Sequence, residues 1–507
     1  MKKRLMALVM FGVMLFTVSG CKKNPSSDSD YSLVTSEWEE VVTTNKNNGD
    51  IDESGNGSSD GSTANSTTTS NGNTTTGNAS GSNAKVSDFN LVQSVNIKEG
   101  TTPIENGVDF GGKTFTMAIT EEPQYHDAAF KRKIAAFEKT YNCKIKTVEL
   151  IFGTYNTQIQ QALSAGTSYD ICFQHGNHYP VGINEGLYKS FSDVITTADL
   201  QNVSNPEAGG IDLATSSYFA YNGELYGLSH YYSAYPVVMY YNKKMCSAAG
   251  IDPQKLYDEG KWTWNYILQT GRKLTDSTKD VYFLQANYIA NSFGIAALTL
   301  KNGKPVSNLT STQYINAINF SLQLTNSATG IAKAATTTQP GDTYYERFFA
   351  GKTYVFPQET SKWSQIAAGA ASSTAFGKDI DNVGIVPMPM NTTDKNAYAY
   401  DQLRCITAGV KTNDIRVAAC YAKFEATYVD AVQDKATVIT GKNKTYVDTL
   451  LKAKTKIVNH GRYATSSTNT TDINANAYLE IAQGGDVAQV LKKAQQDNEN
   501  AIKATWK

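Results

Sequence analysis

Between residues 54 and 83, 27 of 30 positions are Gly, Ser, Thr or Asn; only Asp60, Ala64 and Ala79 depart from that set. A stretch of this kind has too little apolar surface to offset the entropy of fixing its backbone. It therefore splits the 507-residue chain into a short N-terminal piece and a long C-terminal one, and only the second can hold a sizeable core. A Gly/Ser-like chain spreads as about 5–6 Å × √n, so the roughly 80 residues between Cys21 and the first expected strand reach about 50 Å. Gly57-Ser58-Ser59-Asp60-Gly61 fits the G-x-S-x-G pattern of a nucleophile elbow. Inside such a tract it lacks the strand-turn-helix frame that the chemistry needs. The segment reads as a tether.

Over the whole chain, 46 Lys+Arg balance 47 Asp+Glu, which argues against a nucleic-acid binder with its basic face. Thirty tyrosines suit surfaces that must be apolar and hydrogen-bonding at once, although sheets also favour tyrosine for packing. The six cysteines, at 21, 143, 172, 246, 405 and 420, form no C-x-x-C pair. That spacing supports neither zinc nor redox chemistry nor a disulfide framework, and the last five read as small buried thiols.

At the N-terminus, Lys2, Lys3 and Arg4 precede an apolar run from Leu5 to Val18 that is short for a membrane span. It ends in Val18-Ser19-Gly20-Cys21, which resembles a bacterial lipobox. That resemblance implies a lipoprotein signal peptide over 1–20 and a diacylglyceryl group on Cys21. Buried acyl chain contributes about 0.8 kcal/mol per CH₂ to membrane attachment. The tether would then span 21–108, with the remaining chain soluble outside the cytoplasm.

From about Asp109 the pattern becomes that of a folded domain. Lys113–Thr120 alternates like a half-buried strand, and residues 126–141 place apolar side chains at helical spacing. Residues 144–150 read as a strand, 155–165 as a helix and 169–173 as a strand. Strands alternating with helices imply an α/β domain with a mostly parallel sheet, and ligands of such sheets sit beyond the carboxyl ends of the strands.

Several further motifs, taken in order, resemble those of extracellular solute-binding proteins of family 1, the carbohydrate-type, maltose-binding-protein-like receptors of ABC importers. Gly166-Thr167-Ser168-Tyr169-Asp170-Ile171 is similar to the family's "aGt-x-pDi". Asn222-Gly223-Glu224-Leu225-Tyr226-Gly227-Leu228 resembles "NGklYGlP", with Ser229 where proline is usual. Met239-Tyr240-Tyr241-Asn242-Lys243-Lys244 resembles "lyYNKdlf", and Gly260-Lys261-Trp262-Thr263-Trp264 with Lys273-Leu274-Thr275 resembles "gkWTWdef…akkLT". Phe349-Ala350-Gly351-Lys352 before Trp363, then Val383-Gly384-Ile385-Val386-Pro387-Met388-Pro389, and a closing helix over 486–506 complete the series. The resemblance implies an α/β, two-lobed periplasmic-binding-protein-like type II fold with two crossing hinge segments, near 229–241 and 385–389. Lobe one would be 109–230 and 390–440; lobe two, 231–389 and 441–507. It also implies a small solute as partner, an oligosaccharide foremost, permease subunits with a cytoplasmic ATPase, a monomeric receptor, and neither cofactor nor metal.

Sugars present apolar ring faces edged with hydroxyls, so their sites need aromatic platforms beside amides and carboxylates. Four neighbourhoods supply both. The loop after the first strand offers Glu121, Glu122, Gln124 and Tyr125; the next offers His175, Asn177 and Tyr179. The first crossing offers Tyr232 and Tyr235. Lobe two contributes Tyr288, Glu359 and Trp363, and the second crossing leads to Tyr400 and Asp401. His175 and His178 have ligand-like spacing, but no acidic or cysteine partner stands nearby to make a metal site. Trp262 and Trp264 flank a helix start and read as packing residues. Arg347, Arg404, Arg416 and Arg462 have no readable orientation, and no arginine clamp for an anion stands out.

Two other classes compete. A tethered glycoside hydrolase would need paired carboxylates, which Glu121 or Glu122 with Glu359 could form. A surface adhesin explains the tether but not the order of motifs. The resemblance favours binding without catalysis, the same fold with a peptide or polyamine being the nearest alternative.

Overall fold

The computed structural model describes residues 94–505 apart from 176–180, 201–209, 231–234, 286–288, 302–303, 327, 334–341, 391–398, 402, 433, 453–456 and 460–472. The signal peptide, Cys21 and the Gly/Ser/Thr/Asn tract lie outside the described residues.

Nine strands build two main sheets. In the first, β1 (Lys113–Thr120), β2 (Cys143–Leu150), β3 (Ile171–His175), β4 (Tyr188–Lys189) and a late strand, β9 (Arg404–Gly409), run in the order β2-β1-β3-β9-β4. β1 is parallel to β2 and β3, whereas β9 is antiparallel to β3 and β4. Alternate side chains of a strand face opposite ways. Met117 and Ile119 of β1 accordingly pack with Phe130 and Phe137 of the helix Ala128–Tyr141, while Ala118 packs with Tyr155 and Ile159 of the helix Tyr155–Ser164. Asp127 caps the former helix by accepting from the Phe130 N–H at 2.7 Å.

The second sheet holds β5 (Val237–Asn242), β6 (Tyr282–Leu284), β7 (Thr353–Glu359) and β8 (Val383–Val386) in the order β8-β5-β7-β6. Every residue of β5 is buried, as suits a strand covered on both faces. Val238 and Tyr240 face Trp363 and Ile366, and Val237, Met239 and Tyr241 face Trp262, Trp264 and Ile267. Local chemistry explains the motifs. Asn242 ends β5 and caps the next helix by accepting from the N–H groups of Lys244 and Met245. Gly384 leaves space for the Tyr241 ring, onto which a Cβ would land. Thr263 caps the helix Trp264–Leu274, and the buried indoles of Trp262 and Trp264 donate to Pro387 O and Ser292 Oγ.

Leu228 still pairs with Ile406 of β9 in the first sheet, and Val237 opens β5 in the second. Further on, Met390 is bonded to the Trp262–Trp264 backbone beside the second sheet, and Arg404 opens β9 of the first. Residues 473–505 pack through Tyr478, Ile481 and Leu491 on Tyr314 and Ile318 of the helix Thr312–Leu324.

Packed chain also begins before Asp109. Residues 94–112 form a strap along the first lobe, where Ile97 and Phe110 are buried. The Asn96 N–H donates to Gly223 O, the Thr197 N–H to Lys98 O and the Ile104 N–H to Asp199 Oδ1. Lys423 Nζ fastens the strap, 2.5 Å from Glu105 Oε2 and 2.8 Å from Asp199 Oδ1. The Val95-Asn96-Ile97-Lys98 alternation is too short to outweigh the polar residues around it in a reading by composition. All five cysteines among the described residues are free and buried. No helix of the described residues is long and apolar enough to cross a membrane.

Candidate functional site

Three strand ends from both lobes converge. β1 runs out at Thr120 and passes through Glu121 and Glu122 into the turn Pro123–Tyr125. β7 of the other lobe runs out at Glu359, and β9 starts at Arg404. The Arg404 Nη2 lies 3.4 Å from Glu122 Oε1 and 3.6 Å from Glu359 Oε2. Exposure is 2 % for Glu122, 1 % for Glu359 and 4 % for Arg404, so the three charges meet out of water. One guanidinium thus ties a carboxylate of the first lobe to a carboxylate of the second.

Neighbouring groups fix the geometry. The Thr120 hydroxyl donates to Glu122 Oε2 and the Ser361 hydroxyl to Glu359 Oε2, each at 2.9 Å. Ser229 Oγ donates to the Arg404 carbonyl at 2.6 Å, and the guanidinium lies 4.1 Å over the Tyr235 ring. Burial pushes the Arg404 pKa down, but Glu122, Tyr125 and Glu359 outweigh it and hold it well above the usual guanidinium value. Tyr125 packs against Phe173 and Phe130, with ring centroids at 4.8 and 5.6 Å. Burial raises the pKa of its hydroxyl and of Tyr235's.

Beside the triad is a cavity of about 130 Å³ lined by Tyr125, Lys133, His230, Tyr235, Arg404 and Glu425, among others. Lys133 Nζ is 2.6 Å from Glu425 Oε1, and His230 Nε2 is 3.8 Å from Glu425 Oε2. Burial alone would raise the Glu425 pKa; Lys133 and His230 reverse that and bring it down to about 2.

The remaining candidates fall in several places. Glu121 is half-buried, accepts from the Phe152 N–H at 2.9 Å, and has its pKa raised by burial. Trp363 is only 5 % exposed, stacks on Tyr240 at 6.3 Å, and donates its indole N–H to Lys435 O at 2.9 Å. Its ring belongs to a core cluster that also contains Tyr155 and Tyr188 of the first lobe. His175 ends β3 directly opposite Arg404, which brings its backbone to the site. Tyr400 and Asp401 form a short strand beside Ile457–Asn459. Asn177, Tyr179, Tyr232 and Tyr288 lie outside the described residues.

Sequence reasoning missed the roles of Arg404, Lys133, His230 and Glu425. A usable signal existed for Arg404: it opens Arg404-Cys405-Ile406-Thr407-Ala408-Gly409, an otherwise uncharged strand whose six residues are all buried.

Two α/β lobes meet here, with charged groups of both lying between them. A family model described as "Bacterial extracellular solute-binding protein" matches residues 121–411, more than half of the chain, and the chain belongs to that family. Solved structures agree on the fold. An ABC substrate-binding protein from Listeria monocytogenes in complex with cycloalternan is 15 % identical, with a TM-score of 0.57 over 77 % of this chain and 99 % of that one. The GacH receptor of Streptomyces glaucescens, solved unliganded and with acarbose, is 13 % identical at a TM-score of 0.57, over 77 % and 99 % of the two chains. The extracellular solute-binding protein from Staphylococcus aureus in complex with maltose is 17 % identical at 0.53, over 77 % and 98 %. No curated protein matches by sequence.

Proposed function

We propose that this solute-binding protein is a lipid-anchored, extracytoplasmic receptor that captures an oligosaccharide between its lobes and delivers it to the permease of an ABC importer. The carrying observation is the meeting of Glu122, Arg404 and Glu359 between the lobes, beside Tyr125 and Tyr235. Carboxylates and a guanidinium are the groups that fix sugar hydroxyls, and aromatic rings serve the apolar faces. The cycloalternan, acarbose and maltose held by similar folds support the carbohydrate reading. Closure of two lobes about short passages traps a solute and gives the permease a distinct shape to read. Binding without chemistry is supported by the match of residues 121–411 to a solute-binding family. The lipobox-like Val18-Ser19-Gly20-Cys21 supports the anchor.

The test is a thermal-shift and calorimetric screen against oligosaccharides, monosaccharides, peptides and polyamines. A ligand at 100 times its Kd stabilises the protein by about 2.7 kcal/mol. A shift with one glycan class, recovered intact by chromatography, supports the reading, and cleaved glycan refutes it. A Cys21→Ser variant should leave the membrane fraction.

A further inference from the structure

The triad holds two carboxylates and one guanidinium, and its second carboxylate is incompletely served. Charge-assisted N–H···O bonds run about 2.7–2.9 Å, whereas Arg404 stands 3.4 Å from Glu122 and 3.6 Å from Glu359. Glu359 Oε1 is buried and makes no hydrogen bond. Its other oxygen already has the Ser361 hydroxyl. Lys133, which lines the neighbouring cavity, is committed to Glu425. A buried carboxylate with open lone pairs is strongly disfavoured unless a cation or donor reaches it.

We infer that the cargo carries a protonated amine that seats on Glu359 Oε1, so that Glu122, Arg404, Glu359 and the ligand form a row of alternating charges. This rests on the carbohydrate reading above and narrows it to amine-bearing sugars. A neutral sugar hydroxyl would satisfy the lone pair but leave the charge; an ammonium does both, through a hydrogen bond roughly twice as strong. A metal ion fits less well: among the described residues no group of three His, Cys, Asp or Glu side chains is placed to hold one. Tyr125 and Tyr235 line, with Arg404, a neighbouring cavity whose aromatic surface suits a sugar ring beside a cation.

The experiment titrates the full chain, solubilised in detergent, with glucosamine oligomers, their N-acetylated counterparts of equal length, neutral glucose oligomers and spermidine. Acetylation keeps the ring and removes the charge. The glucosamine oligomer should bind about ten-fold tighter than its acetylated form, the difference between a charged and a neutral hydrogen bond. Glu359→Gln, which preserves shape, should bring that ratio close to one while Glu122→Gln reduces it less; a cooperative thermal melt, even at a lower midpoint, would confirm folding. Equal binding of the two forms, or a ratio indifferent to Glu359→Gln, overturns the inference and leaves the carbohydrate reading intact. Binding of spermidine alone, lost in Glu359→Gln, supports the ammonium seat and overturns the carbohydrate reading. No binding by any of the four overturns both.

Discussion

Replacing Arg404 by methionine keeps an unbranched chain against Tyr235 and deletes the guanidinium that Glu122 and Glu359 share. Removing one partner of a buried ion pair costs about 3–5 kcal/mol. The Thr120 and Ser361 hydroxyls still serve one oxygen of each carboxylate, so the lower end, about 3 kcal/mol, applies to the closed form. That corresponds to a factor of roughly 150 in the ratio of closed to open molecules. The protein has an escape that a core mutant lacks: Glu359 belongs to the second lobe and regains water when the lobes part. Arg404→Met should therefore enlarge the radius of gyration of the unliganded protein in X-ray scattering and lower its melting temperature. Adding Glu359→Gln should recover part of the loss, with a coupling of about 1 kcal/mol or more in a double-mutant cycle. Unchanged scattering and melting in Arg404→Met would refute the idea that this arginine ties the lobes together.

Glu425, held near pKa 2 against an ordinary 4.5, contributes stability that is complete above pH 4.5 and lost as the pH falls towards 2. Urea midpoints measured from pH 6 to 3 should fall less steeply, by up to one proton, in Glu425→Gln. Lys423→Met should destabilise the first lobe by about 2–3 kcal/mol, discounted from the buried-pair value because Glu105 is partly exposed, and should open residues 94–112 to proteolysis. Gly384→Ala should cost about 1–3 kcal/mol by thermal melting, because its Cβ would collide with the Tyr241 ring in the β5–β8 pair.

The secondary structure of the first lobe was legible because alternation in Lys113–Thr120 and helical spacing around Phe130 and Phe137 are local signals. The lobes followed from the order of motifs, and Asn242 and Gly384 show why those residues recur: one caps, the other yields space. The site was legible only in part. Glu122 and Glu359 could be named as carboxylates able to face each other, but Arg404 meets Glu122 across 282 residues and Lys133 meets Glu425 across 292. No periodicity encodes such a meeting. Trp363 shows a related difficulty: a sequence reveals the ring, not which of its faces the fold covers with Tyr240.

The strap decides where mechanical load enters the molecule. Asn96, Lys98, Ile104 and Glu105 fasten to Gly223, Thr197, Asp199 and Lys423, all on the body built around the first sheet. A pull arriving through the strap would therefore be borne first by that body, and not by the second sheet. With the proposed anchor, the second lobe would swing while its partner is moored, and the work of closing would be the same at any length of leash.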